Sequence, residues 1–555
     1  MKKEVKWIIG LYLVLVVLKI GLSLFIHAPS VFSDEYVYAK LAQSMWQDQE
    51  LSIHTFSSHQ QPPLYPLFLS VAYLFKDMTL VYAFMKILNI LLLTSIVFPM
   101  YLLAREFLNE KSSLFIVGTI SFLPAMFLLS FYIMSENLFY PLFAWWVFFV
   151  YKGFKNNDPF FFMLGGLFLG LLFLTRAIAV VLIPVVLLMM IAKVRKIRFQ
   201  KIGKYYAIAL AVVLPWIVRN ALLFGANTAG VAGRYSNAGS KLANSVSVLI
   251  LPFLNWIVLY SAYLMLSSGI LFGVYALLSY KSENRDLRLL GWIVLFSSGL
   301  LILVSANHST SFRIFFESPF FFFTSRPLGR YVEAVLPFIV LVGYVCFEKV
   351  QVNEVIKKAL LATSGLLLVG SQLTIAPLVP FNNSSLTLLG VSKYLLDIIV
   401  HGSFITDKFV LSSFITLLVI LIAIPWVFVK KVKWQPYLLL AFFLLSTMAG
   451  FAVTYQESKA WYQTDQMQVG LELNKIDPEI SKVVFDERDC VDKLDREEKG
   501  ICENTKLATI AGFWLNDKIT IGDVYKEEAD LVISKRVLPF EMVKVLNGGL
   551  FAYRK

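Results

Sequence analysis

Long apolar stretches recur along this chain at about thirteen places, and charge interrupts the sequence between them. They fall near 7–26, 79–104, 112–131, 136–151, 160–175, 177–192, 205–223, 248–279, 289–305, 330–347, 358–376, 408–429 and 435–454. Most approach the ~20 residues that a helix needs to cross the hydrocarbon core of a bilayer. With 58% hydrophobic residues over 555 positions and a mean hydropathy of +0.70, the chain reads as a polytopic membrane protein.

The net charge of +13 does not indicate nucleic acid, because the basic residues are confined to short segments between spans. Lys193-Val194-Arg195-Lys196-Ile197-Arg198, the stretch Lys281 to Arg288, and Lys430-Lys431-Val432-Lys433 each join two apolar stretches. Lys2, Lys3 and Lys6 precede the first. Basic loops stay in the cytoplasm, so the N-terminus is expected inside, in a plasma or inner membrane. Alternation then puts all three clusters inside, and Asp34, Glu136, Arg176, Arg219 and Arg330 at or near the outer face. An odd number of spans leaves the C-terminus outside. The first span is expected to be retained, since no small-x-small cleavage site precedes Asp34.

From about Tyr455 the composition becomes that of a soluble domain. Lys482–Asp486, Lys518–Ile521 and Asp530–Ser534 read as short strands, and Trp461 to Asn474 as a helix leading out of the last span. The expected organisation is a transmembrane domain over 1–454, with a first external loop at about 27–78, and an extracytoplasmic α/β domain over 455–555. Cys490 and Cys502 flank an acidic loop there, and an oxidising exterior predicts a disulfide between them. Cys346 lies in a span and reads as a small apolar residue.

The first external loop carries the most specific motif. Phe32-Ser33-Asp34-Glu35-Tyr36 follows the first span, and Gln61-Pro62-Pro63-Leu64-Tyr65-Pro66 comes later in the same loop. Two adjacent acids at an outer surface with a paired-proline segment resemble the first external loop of the GT-C superfamily of membrane glycosyltransferases. These enzymes take sugars from polyprenyl-phosphate carriers, and the protein O-mannosyltransferase and lipid A aminoarabinose transferase types are the most similar. Leu174-Thr175-Arg176, Pro215-Trp216-Ile217-Val218-Arg219-Asn220 and Gly329-Arg330-Tyr331 also resemble landmarks of that superfamily. The resemblance covers roughly residues 7 to 350.

The resemblance implies a GT-C helical core and a single displacement at the anomeric carbon. Transfer to a hydroxyl needs a base for the acceptor proton, and Asp34 matches the base position. Glu35 would orient the acceptor or help to bind a divalent cation, Mg2+ or Mn2+. The alternative is that Ser33 or Asp34 merely caps a helix over Glu35–Gln47, whose N-terminus favours negative charge. A departing polyprenyl phosphate needs fixed positive charge, and a guanidinium supplies a donor fork that stays charged near lipid. Arg330, with Tyr331, is the first candidate for that phosphate and Arg219 the second. Glu136, an acid at the start of a span, is expected to pair with an arginine or approach the sugar. Arg176, Gln61, His59 and Tyr65 complete the expected substrate contacts. His54 and His59 have no further ligands beside them that would make a metal site. The partners implied are a polyprenyl-phosphate-linked sugar, a hydroxyl acceptor on a glycan, lipid or protein, and membrane lipids.

A secondary transporter or flippase for a lipid-linked or anionic solute is the rival reading. It predicts internal repeats and mid-membrane polar groups, whereas no repeat is visible and the charges gather at one face. No Gly-rich phosphate loop marks a nucleotide-driven pump. The loop from Ser311 to Arg330, with six of the nine residues from Phe315 to Phe323 aromatic, is expected to lie in the membrane interface. Asn307-His308-Ser309 and Asn383-Ser384-Ser385 fit the glycosylation pattern in expected outer loops.

Overall fold

The computed structural model describes residues 2–30, 32–53, 56–57, 61–192, 198–225, 250–311, 315–317, 322–324, 328–350, 434–476, 482–486, 509–516 and 518–555, with single positions 358, 362 and 365. The chain divides into two compact units: Met1–Leu18, Leu92–Leu129 and Ser135–Val453 form one, and Lys19–Leu91, Ser130–Met134 and Thr454–Lys555 the other.

Among the described residues six helices are long and apolar enough to span a membrane: Val5–Ser23, Met78–Arg105, Phe199–Phe224, Ile250–Ser267, Arg285–Thr310 and Gln435–Tyr462. Glu110–Ser121 and Pro124–Phe131 together make a seventh, bent by 74°. The bend follows from Pro124, which forces the preceding Leu123 into an extended conformation at ψ 131. Pro159–Thr175 and Ala177–Ile191 are apolar but shorter. The stretch expected as one span over 248–279 is broken instead, because Gly269 turns the chain at φ 77 between Ile250–Ser267 and Leu271–Leu277. The stretches 358–376 and 408–429 lie outside the described residues, apart from positions 358, 362 and 365.

In the first unit the element that matters most is a helical hairpin. Glu136–Asn156 ends at Asn157, which adopts the left-handed conformation at φ 52. Asp158 then caps Pro159–Thr175 through the Phe160 amide, with proline at the first helical position. Three consecutive residues thus stop one helix, reverse the chain and start the next. On the far side of the hairpin, Gly166 admits the helix Phe199–Phe224 to backbone distance. A Cβ there would lie 2.1 Å from the Tyr205 carbonyl oxygen. The buried Trp146 indole donates to the Tyr205 hydroxyl at 3.0 Å.

The turn end of this hairpin is held by charge. Glu106 accepts from Lys152 and, at 2.6 Å, from Lys155, which also reaches Asp286 at 3.1 Å. Burial alone would raise the Glu106 carboxyl, but the hydrogen bonds and charges of the two lysines outweigh it and hold its pKa below the ordinary value. A depressed carboxyl stabilises the fold above its unfolded-state pKa, and that contribution disappears as pH falls through the folded-state pKa. Glu106→Gln is therefore expected to cost about 1 kcal/mol near neutral pH. The wild-type advantage in thermal unfolding should close as pH drops below about 4.5. A difference between the two proteins that did not change with pH would refute this origin.

The second unit contains a five-stranded sheet. In spatial order its strands are Lys518–Gly522, Lys482–Asp486, Leu531–Ser534, Leu550–Arg554 and Glu541–Leu546. The first three are parallel, and Leu550–Arg554 runs antiparallel to both of its neighbours. Val483, Phe485, Leu531 and Ile533 pack with Val469 and Leu473 of the helix Asp465–Leu473 on one face, while Val484, Val532 and Tyr553 fill the other. Burial on both faces is what parallel strands require.

Residues 19–91 pack within the same unit. The Tyr82 ring meets Phe513 and Trp514 edge-on, Lys40 donates to the Leu515 carbonyl, and Asn474 donates to Asp77 at 3.0 Å. The Ser458 hydroxyl accepts the backbone amides of His27 and Ala28, each at 2.9 Å.

Candidate functional site

The hairpin explains how Glu136 and Arg176, forty positions apart, come together. One is the first residue of the outgoing helix and the other directly follows the last residue of the returning one, so both lie at the end opposite the turn. There Arg176 Nη1 forms an ion pair with Glu136 Oε1. The carboxylate is only 2% exposed and the arginine side chain 14%.

A second guanidinium arrives from the 3-10 turn Gly329–Tyr331, with Arg330 Nε 3.8 Å from the same Glu136 oxygen. The Tyr331 ring lies beneath both arginines, at 5.4 Å from Arg176 and 5.7 Å from Arg330. Phe139 also stacks on Arg176, and His308 meets Tyr331 edge-on. Two largely buried guanidiniums share one carboxylate against aromatic walls, and guanidinium forks are a donor set that suits an anion.

The sequence pairs Arg330 with Arg219 on the expected phosphate; on Glu136 it is Arg176 that joins Arg330. Arg219 donates to the buried Asn220 at 2.9 Å and stacks on Trp216 at 5.0 Å. The expected glycosylation pattern at Asn307-His308-Ser309 is corrected: it lies inside the helix Arg285–Ser311 rather than in a loop. Ser309 is buried against the Tyr260 hydroxyl. Of the aromatic loop, Phe315–Glu317 and Phe322–Thr324 form a short antiparallel pair.

In the other unit Asp34 and Glu35 occupy the first turn of the helix Phe32–Gln47, which begins at Phe32 and so includes Ser33 and Asp34 rather than being capped by them. Their environments differ. Asp34 is partly exposed, whereas Glu35 is fully buried. One Glu35 oxygen accepts the Ser30 amide and the other the Ile133 amide, each at 3.0 Å. Glu35 thus fixes backbone on both sides of itself. The buried Lys86 interacts electrostatically with it and donates to the carbonyls of Ser23, at 2.9 Å, and Ile26, at 2.5 Å.

Tyr65, expected at the substrate, is buried, and its hydroxyl donates to Asn89 at 3.0 Å. Asn89 in turn holds the Tyr132 carbonyl at 2.9 Å. Gln61 is partly exposed just before the paired prolines. His59, Cys490 and Cys502 lie outside the described residues. Among the described residues no three acids, histidines or cysteines gather as a metal site requires.

Sequence reading missed the buried Glu333, which accepts from the hydroxyls of Tyr140, at 3.3 Å, and Tyr263. The signal was available: an acid inside the apolar run 330–347 is costly unless it has a task.

The long apolar helices among the described residues mark an integral membrane protein, and comparison with known proteins makes the likeness specific. Residues 60–218 match the family model described as dolichyl-phosphate-mannose-protein mannosyltransferase. No curated sequence is significantly similar to the chain. Among solved structures, ArnT from Cupriavidus metallidurans bound to undecaprenyl phosphate shares the fold at TM-score 0.58 and 11% identity, over 98% of this chain and 97% of that one. Its apo state gives TM-score 0.56 at 12% identity, over the same shares of both chains. The oligosaccharyltransferase of Archaeoglobus fulgidus matches at TM-score 0.45 and 11% identity, over 93% of this chain and 65% of that one. Residues 60–218 thus resemble that mannosyltransferase family, and the chain shares the fold of ArnT.

Proposed function

We propose that the chain transfers a sugar from a polyprenyl-phosphate carrier to a hydroxyl acceptor at the extracytoplasmic face, with inversion. The observation that carries this reading is the Glu136–Arg176–Arg330 cluster, two guanidiniums held ready for an anion. In the step proposed, the acceptor oxygen attacks the anomeric carbon while its proton passes to the Asp34 carboxylate. The bond from that carbon to the phosphate oxygen breaks, and its electron pair leaves with the polyprenyl phosphate. Arg330 and Arg176 stabilise that developing charge, and Arg219 serves the phosphate as a secondary contact. Glu35 holds the backbone that presents Asp34. The family match and the shared fold support the donor class.

The test uses purified protein in detergent with a panel of radiolabelled polyprenyl-phosphate sugars and crude membrane acceptors. Transfer from at least one donor, lost in Arg330→Ala, is the expected result. Folded protein that binds the donors but transfers from none of them would sink the reading in favour of transport.

A further inference from the structure

We infer that Glu333 is a positioning residue that sets the aim of Arg330. The turn from Leu328 to Tyr331 is held at three successive positions. The Leu328 amide donates to the Tyr260 hydroxyl at 3.1 Å. Gly329 lies against Tyr263 and Glu333 so closely that a Cβ would stand 2.1 Å from the tyrosine hydroxyl and 2.9 Å from the carboxylate. The Arg330 carbonyl accepts from the Tyr140 hydroxyl at 2.9 Å. Tyr140 and Tyr263 come from different helices, Glu136–Asn156 and Ile250–Ser267, and Glu333 accepts from both.

The chemistry explains why this position carries an acid. Tyr263 donates to Glu333 Oε1, and the single Tyr140 proton is shared between the Arg330 carbonyl at 2.9 Å and Glu333 Oε2 at 3.3 Å. An ionised carboxylate thus offers an acceptor oxygen to each hydroxyl. A glutamine would offer one oxygen and turn an amide donor toward the other hydroxyl. Glu333 is 1% exposed, so water cannot fill the gap. The carboxylate fixes the two tyrosines, the tyrosines fix the turn, and the turn points the guanidinium at Glu136. Only the functional consequence, weaker phosphate binding, rests on the role proposed for Arg330 above.

The experiment compares wild type with Glu333→Gln and with Tyr263→Phe, a milder variant that removes one donor and keeps the carboxylate. Phenylglyoxal modification of Arg330 is followed by mass spectrometry, with Arg176 in the same molecule as internal reference. Binding of undecaprenyl phosphate is measured in parallel. Glu333→Gln is expected to raise the Arg330-to-Arg176 modification ratio several-fold and to weaken undecaprenyl phosphate roughly tenfold; Tyr263→Phe shifts both in the same direction by less. General loosening of the fold would speed both arginines together and leave the ratio unchanged, and an unchanged ratio overturns the inference whatever happens to affinity. A raised ratio with undecaprenyl phosphate binding wild type no better than Arg330→Ala would keep the positioning role and overturn the phosphate role. Should Glu333→Gln fail to fold, Tyr263→Phe decides by the same two readouts.

Discussion

Asp34→Asn is expected to lose sugar transfer by about 10²–10⁴-fold, the usual worth of a positioned general base, while affinity for the donor stays within about twofold. The substitution keeps the size of the side chain and its place in the first helical turn but removes the proton acceptor. The partial exposure of Asp34 beside a fully buried neighbour makes the comparison with Glu35 informative. Glu35→Gln should act on the fold instead. It leaves one of the Ser30 and Ile133 amides facing an amide donor, a loss of about 1–3 kcal/mol, seen as a lower unfolding temperature. Transfer kinetics at saturating donor and thermal unfolding, measured on both variants, separate the two roles. If Asp34→Asn kept most of its activity, the base would have to be sought at Glu35 or Glu136, and the division of labour between the two adjacent acids would fail.

What could be read in the sequence follows from the range of the interactions involved. The spans are written in local hydropathy. The strands Lys482–Asp486 and Leu531–Ser534 are written in short runs of β-branched and apolar residues. The hairpin closing on Asn547-Gly548-Gly549 was equally local, with both glycines at positive φ, but it lay outside the three strands expected. Glu136, Arg176 and Arg330 each stood out singly, because charge near an apolar span demands a reason. Which arginine shares Glu136 depends on the lengths of two helices and on where Asn157 reverses the chain, and no residue near Arg176 records that. Motif position alone does not record how Tyr65 is turned. It stands in a loop segment that reads as substrate-facing, yet the helix Leu64–Ser70 turns it inward onto Asn89. Glu35 adjoins Asp34 in sequence, but adjacent helical residues point in different directions, and one is buried while the other is not.

Glu136→Gln should produce the largest loss of stability. In the wild type one carboxylate offsets two guanidiniums, and its side chain is only 2% exposed. Neutralising it leaves Arg176 and Arg330 facing each other with little water between them. Breaking a buried pair by removing one partner typically costs about 3–5 kcal/mol, against which the original pairing need not have been strongly stabilising. The loss should shrink in the double variant Glu136→Gln/Arg176→Met, since the second substitution removes the repulsion created by the first; a coupling of about 0.5–3 kcal/mol is expected. The same reasoning ties stability to function. A polyprenyl phosphate would supply the negative charge that Glu136→Gln lacks, so undecaprenyl phosphate should raise the unfolding temperature of the variant more than that of wild type. Equal shifts in both proteins would mean that the lipid phosphate binds away from Arg176 and Arg330. A variant as stable as wild type would mean that the carboxylate does not hold the two arginines together.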